Sequence, residues 1–263
     1  MVRRHEGTAF MGGAHVFPGG RVDVGDRAGV DRSWCDGIDT AAAQLGDLPP
    51  ADAVGFHVAA LRELFEEAGV LLARDASRTF VPLVGDDVRD RFKQYRIDVH
   101  DGVRSLREVI TREQLTLALD ALVVFAHWVT PPIDVRQFDT RFFLTRVPTD
   151  QTPAHDDTET THGAWITPAD AIAQALRDEI VLPPPTWTTL RELEPFHTVE
   201  EALAWARRRV LVRRMPHHIV DDAGRRLLLL PGDPLHPESS DSPPAETRFV
   251  HLGGRWRAQR SGA

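Results

Sequence analysis

Arg62-Glu63-Leu64-Phe65-Glu66-Glu67-Ala68-Gly69-Val70 is the stretch on which the fold turns. Leu61 and Phe65 continue a series with Val54 and Val58 at helical spacing. That spacing predicts a helix whose apolar side meets a core. The helix is expected from about Ala51, after Pro49-Pro50, with Asp52 in its first turn, where a negative charge suits the dipole. Gly69 is a plausible C-terminal cap. Glu63, Glu66 and Glu67 stand at i, i+3 and i+4, so their carboxylates project from one face. Like charges gathered so closely repel unless something neutralises them. Arg62, four residues before Glu66, can hold one carboxylate, and a hard divalent cation, Mg²⁺ or Mn²⁺, can take the remaining oxygens. Such an ion would grip a diphosphate and lower the pKa of water. By itself, an acidic face turned to solvent is the simpler account of Glu-x-x-Glu-Glu.

The segment upstream changes that balance. Residues 12–26 are rich in glycine and predict tight turns around a short strand. They include Phe17-Pro18-Gly19-Gly20. Together the two segments resemble the Nudix box: Gly, five residues, Glu, seven residues, then Arg-Glu-aliphatic-x-Glu-Glu-x-Gly-aliphatic. Gly20 begins the box, and Arg62 to Val70 match its second half at every fixed position. Asp26 stands where the box has Glu, and 35 residues separate Asp26 from Arg62 in place of seven. Loop-closure entropy grows slowly with length, so an insertion of this size can be accommodated. The insertion resembles that of the split-box branch of peroxisomal coenzyme A diphosphatases. Similar matches are Trp128-Val129-Thr130-Pro131, Arg136-Gln137-Phe138-Asp139-Thr140-Arg141-Phe142-Phe143, and Glu159 followed by Trp165-Ile166-Thr167-Pro168.

The resemblance covers roughly residues 3–195 and implies an α+β fold, a Nudix α/β/α sandwich with a mixed sheet. It implies a metal-dependent hydrolase using Mg²⁺ or Mn²⁺. The substrate would be coenzyme A or a thioester of it, cleaved to 3′,5′-ADP and a phosphopantetheine. Glu66 and Glu67 would be the first metal ligands, with Glu63 and the Gly20 carbonyl beside them. Arg62 would orient a carboxylate. The general base would be Glu63 or a carboxylate from another loop, Glu159. Arg136 and Arg141 could grip phosphates, although an ion pair with Asp139 or Asp134 serves them equally well. Arg3-Arg4-His5 echoes in part an upstream arginine-containing signature of another coenzyme A hydrolase branch, which makes Arg4 a substrate-binding candidate. Trp128 and Phe138 could stack on adenine, but aromatics in strand-rich segments more often fill cores. ADP-ribose, NADH and other nucleotide sugars remain alternative substrates, and a non-catalytic Nudix-fold nucleotide sensor an alternative role. A Nudix sheet also implies a strand before Arg3, so a native start further upstream is expected.

Composition limits the rest. The 263 residues suit one elaborated domain or a domain with an appendage. We expect a Nudix domain over 1–208, with its insertion at about 27–50, and a β-rich extension over 209–263. The net charge of −8 argues against nucleic-acid binding. Cys35 is the single cysteine and is expected to be a bystander thiol. No apolar run approaches the roughly 18 residues of a spanning helix, the start lacks a secretory apolar region, and a cytoplasmic protein without membrane partners is the expectation. The expected partner is a small-molecule diphosphate, and a homodimer is compatible with the sequence.

Along the chain, residues 27–50 read as a long surface loop with room for one short helix. Residues 86–120 read mostly as helices, the last starting at Thr111. Strands are expected at Leu122 to Thr130, Asp139 to Val147 and Glu159 to Ile166. Helices are expected from Thr167-Pro168 and from the capping box Thr198-Val199-Glu200-Glu201. The tail predicts hairpins around Asp221-Asp222-Ala223-Gly224 and Gly253-Gly254, and His217-His218 read as a turn.

Overall fold

The computed structural model describes residues 1–5, 7, 12–131, 137–153, 160–241 and 243–259. The first third contains β1 (Val2–Arg4), β2 (His15–Val16), α1 (Val24–Arg27), β3 (Cys35–Asp36), α2 (Ile38–Gln44), α3 (Pro50–Ala68) and β4 (Ala73–Arg74). Then come α4 (Asp86–His100), α5 (Leu106–Arg112), β5 (Thr116–Ala118), β6 (Val123–Val129), β7 (Asp139–Leu144) and β8 (Thr160–Gly163). The last third contains α6 (Pro168–Leu176), α7 (Pro184–Leu193), α8 (Val199–Arg208) and β9 (Arg213–Arg214). Four strands finish it: β10 (His217–Val220), β11 (Arg226–Leu229), β12 (Arg248–Leu252) and β13 (Arg255–Gln259).

The chain divides into two compact units. One comprises Met1–His5, Phe17–Val124 and Phe143–Ala164, and the other Glu6–Val16, Phe125–Phe142 and Trp165–Ala263.

In the first unit, α3 lays Val54, Val58, Leu61 and Phe65 into the main core, as their spacing predicts. The helix ends at Gly69, whose φ of 66° is left-handed and which donates to the carbonyls of Leu64 and Phe65. Beside it, β5 pairs in parallel with β3 and antiparallel with β4, giving a mixed sheet. Val2–Arg4 themselves form a strand, antiparallel to β8.

The insertion departs from expectation. Residues 27–50 do hold the one short helix, α2, but they also carry β3 and are not all surface: Trp34, Cys35 and Ala41 are buried in the same core as α3, and Leu45 is buried as well. Burial pushes the Cys35 thiol up to about 12, so it is not a reactive thiolate at neutral pH. Two glutamine side chains knit distant backbone. Gln44 donates to the Leu122 carbonyl and accepts from Val124 N–H. Gln151 accepts from Leu71 N–H and donates to the carbonyls of Leu71 and Val81. The expected helix start at Thr111 is also wrong: Thr111 lies near the end of α5, which Ser105 opens by accepting from Glu108 N–H while the Glu108 carboxylate accepts from Ser105 N–H.

In the second unit, Trp128 is core rather than exposed, and β9 pairs in parallel with β6 at His127 and Trp128. The tail is an antiparallel meander, β10-β11-β12-β13. Its last hairpin turns through Gly253 and Gly254, both at positive φ, the two-residue turn that matches strand twist. His217 and His218 lie in β10, not in a turn, because their alternation pairs them with Leu229 and Leu228.

Candidate active site

Three carboxylates leave α3 on the side away from the core, and the glycine loop closes against them. Gly19 N–H donates to Glu67 Oε2 at 3.0 Å. A Cβ on Gly20 would collide with the Glu63 carboxylate, so only glycine lets the backbone approach this closely. Glu66 and Glu67 are buried residues, 8% and 6% exposed, which places charges where their neutralisation matters.

Arg62 occupies the centre. Its Nε and Nη2 each reach an oxygen of Asp26 at 3.0 Å, a two-pronged pairing. Its Nη1 donates to Glu63 Oε1 at 2.9 Å and to Glu66 Oε1 at 3.0 Å, and Nη2 also donates to the Arg21 carbonyl at 2.8 Å. Burial works to lower the pKa of this guanidinium, but the hydrogen bond to Asp26 and the charges of Glu63 and Asp26 outweigh it and push it up. Asp26 is itself fixed by accepting from Asp23 N–H at 2.8 Å. The shorter carboxylate thus holds the arginine that orders Glu63 and Glu66.

Four carboxylates, those of Asp26, Glu63, Glu66 and Glu67, therefore share a neighbourhood with one guanidinium at its centre. Among the described residues no three His, Cys, Asp or Glu side chains already converge as a metal shell, since Arg62 spans their oxygens. The donor set is nevertheless all hard oxygen and carries excess negative charge, which fits a hard divalent cation rather than a softer ion. Glu63, Glu66, Glu67 and the Gly20 carbonyl are the groups that could hold it.

The other sequence candidates lie on other elements. Arg4 sits on β1 opposite Thr160, with its Nε buried and, among the described residues, without a hydrogen-bond partner. Arg141 is turned inward on β7, its side chain 1% exposed and its Nε 2.9 Å from Asp139 Oδ1. Phe138 is 43% exposed. Arg136 and Glu159 lie outside the described residues. Two residues of α4 escaped the sequence reading: Arg96 Nε donates to the Glu66 carbonyl at 2.6 Å, and His100 Nδ1 lies 3.9 Å from Glu66 Oε2. Their i, i+4 spacing puts them on one side of α4, but nothing local says which helix that side meets.

Carboxylate helix and glycine loop on a fold of helices and mixed sheets define a Nudix hydrolase. A crystal structure of a NUDIX hydrolase from Alicyclobacillus acidocaldarius is similar, with a TM-score of 0.61 at 25% identity over 77% of this chain and 86% of that one. The family model described as the NUDT19 Nudix domain matches residues 38–193. Human acyl-coenzyme A diphosphatase NUDT19 is 30% identical over 275 residues, 92% of this chain and 72% of the human protein. The Xenopus laevis protein of the same name is 25% identical over 274 residues, again 92% and 72%. The chain belongs to the NUDT19 Nudix family.

Proposed function

We propose that the chain hydrolyses the diphosphate bridge of coenzyme A or an acyl-coenzyme A, releasing 3′,5′-ADP and a phosphopantetheine. One juxtaposition carries the reading: Glu63, Glu66 and Glu67 of α3 stand against the backbone of Gly19 and Gly20, ordered by Arg62. The choice of substrate is supported by relatives named acyl-coenzyme A diphosphatase at 25%, 28% and 30% identity.

Glu66 and Glu67 are the main holders of a divalent cation, with Glu63 and the Gly20 carbonyl completing the set. When bound, such an ion offers positive charge to the diphosphate and makes water more acidic. Arg62 fixes the rotamers of Glu63 and Glu66 through one nitrogen, so the oxygens are placed before substrate arrives. Glu63 is the described carboxylate we assign as base, and Glu159 is the alternative. Arg4, with a buried Nε awaiting an acceptor, is assigned to a substrate phosphate.

A panel of coenzyme A, short and long acyl-coenzyme A, ADP-ribose and NADH, each with Mg²⁺ and with Mn²⁺, tests this. Products identified by mass should include 3′,5′-ADP. Turnover of ADP-ribose or NADH with coenzyme A derivatives untouched would overturn the substrate assignment.

A further inference from the structure

Helix α3 leaves the carbonyls of its last turn without helical partners. Those of Leu64 and Phe65 are met by Gly69 N–H, and that of Leu64 also by Val70 N–H. The Glu66 carbonyl is met from outside the helix, by Arg96 Nε at 2.6 Å. A guanidinium there also sits at the negative end of the helix dipole.

Arg96 is well placed to be rigid. On α4, Phe92, Tyr95 and Val99 are buried in the core of the same unit, and Tyr95 Oη donates to Glu113 at 2.8 Å. Arg96 and His100 border that apolar stripe. Glu66 is consequently held at two points, Oε1 by Arg62 and the backbone carbonyl by Arg96, and His100 Nδ1 lies 3.9 Å from its Oε2.

We propose that Arg96 is a positioning residue for the metal site, a strut from α4 that sets the height and rotation of the last turn of α3, and with it the direction of the Glu66 and Glu67 carboxylates. It rests on the reading of Glu66 as a ligand. Its action is on the ion rather than on the substrate, so it should move metal affinity before it moves KM.

The test titrates Mn²⁺ alone into the full chain, following free ion by electron paramagnetic resonance, with thermal unfolding and steady-state kinetics alongside. Arg96→Ala should weaken Mn²⁺ binding about 10-fold or more, as loss of an outer-shell support does, while KM at saturating metal stays within about two-fold. Arg96→Lys, which keeps a cationic donor, should recover most of the affinity. Should Arg96→Ala not fold, Arg96→Gln is expected to show the same weakening. Unchanged Mn²⁺ affinity with only a lowered Tm overturns the proposal, as does a lysine no better than alanine. Glu66→Gln separates the two layers: if it binds Mn²⁺ as the unaltered protein does, the ligand reading itself falls and the strut with it.

Discussion

A methyl group on Gly20 would land on the Glu63 carboxylate. Gly20→Ala should therefore displace Glu63 and the loop by a fraction of an ångström to an ångström, enough to lower kcat by roughly 10- to 100-fold. Thermal unfolding should barely change, because a side-chain end is what must give way; a kcat equal to the parent's would refute the close approach. Arg62 behaves differently, since its loss leaves several carboxylates facing one another. Arg62→Met is expected to cost about 3 kcal/mol in urea unfolding, and added Mg²⁺ should return part of it by supplying the missing charge. A deficit untouched by Mg²⁺ would mean that no cation is held here. The spacing of Glu63, Glu66 and Glu67 was readable because a helix converts i, i+3 and i+4 directly into one face. Asp26 as the anchor of Arg62 was half readable: its place in the box was visible, its pairing was not. Arg96 was not readable, because its partner is a backbone carbonyl 30 residues away on another helix.

At the scale of elements, the insertion is where sequence and structure part. Its large buried residues, Trp34 and Leu45, stand far apart in sequence with only the small Cys35 and Ala41 buried between them, which gives periodicity little to detect. Leu45 is 0% exposed, so Leu45→Ala should destabilise the fold by about 2–5 kcal/mol; a surface loop would lose almost nothing, and chemical denaturation decides between them. The Ser105-to-Glu108 capping box shows the opposite failure: the signal was present in the sequence, four residues long, and the start at Thr111 took precedence over it. The glycine turn at Gly253-Gly254 and the proline start of α6 were legible because each rests on a local backbone requirement.

Across the whole molecule, acid sensitivity has a named source. His57 on α3 is 0% exposed, and its Nδ1 meets the Ala53 carbonyl at 2.8 Å while Nε2 has no hydrogen-bond partner among the described residues. A carbonyl only accepts, so a proton sits on Nδ1. Burial lowers its pKa from 6.5 to about 4. The unfolded chain therefore takes up a proton between those values that the folded chain refuses. The contribution to stability is complete above pH 6.5 and declines as pH falls towards 4, by up to about 3 kcal/mol. Urea midpoints at pH 7.5 and 4.5 should differ less in His57→Leu than in the parent, and equal differences would remove His57 as the cause. The split into two units, each assembled from separated stretches, was beyond sequence reading, since only tertiary contact brings Met1–His5 and Phe143–Ala164 into one body with α3.

Gln44 and Gln151 carry a consequence for which substitutions the first unit can tolerate. Each of these amides answers a backbone N–H and a backbone C=O at once. Glutamate has nearly the same shape yet, when ionised, cannot donate, and such a swap would leave the carbonyls of Leu122, Leu71 and Val81 facing a carboxylate with no proton between them. Two uncharged side chains thus act as stitches that only an amide can supply.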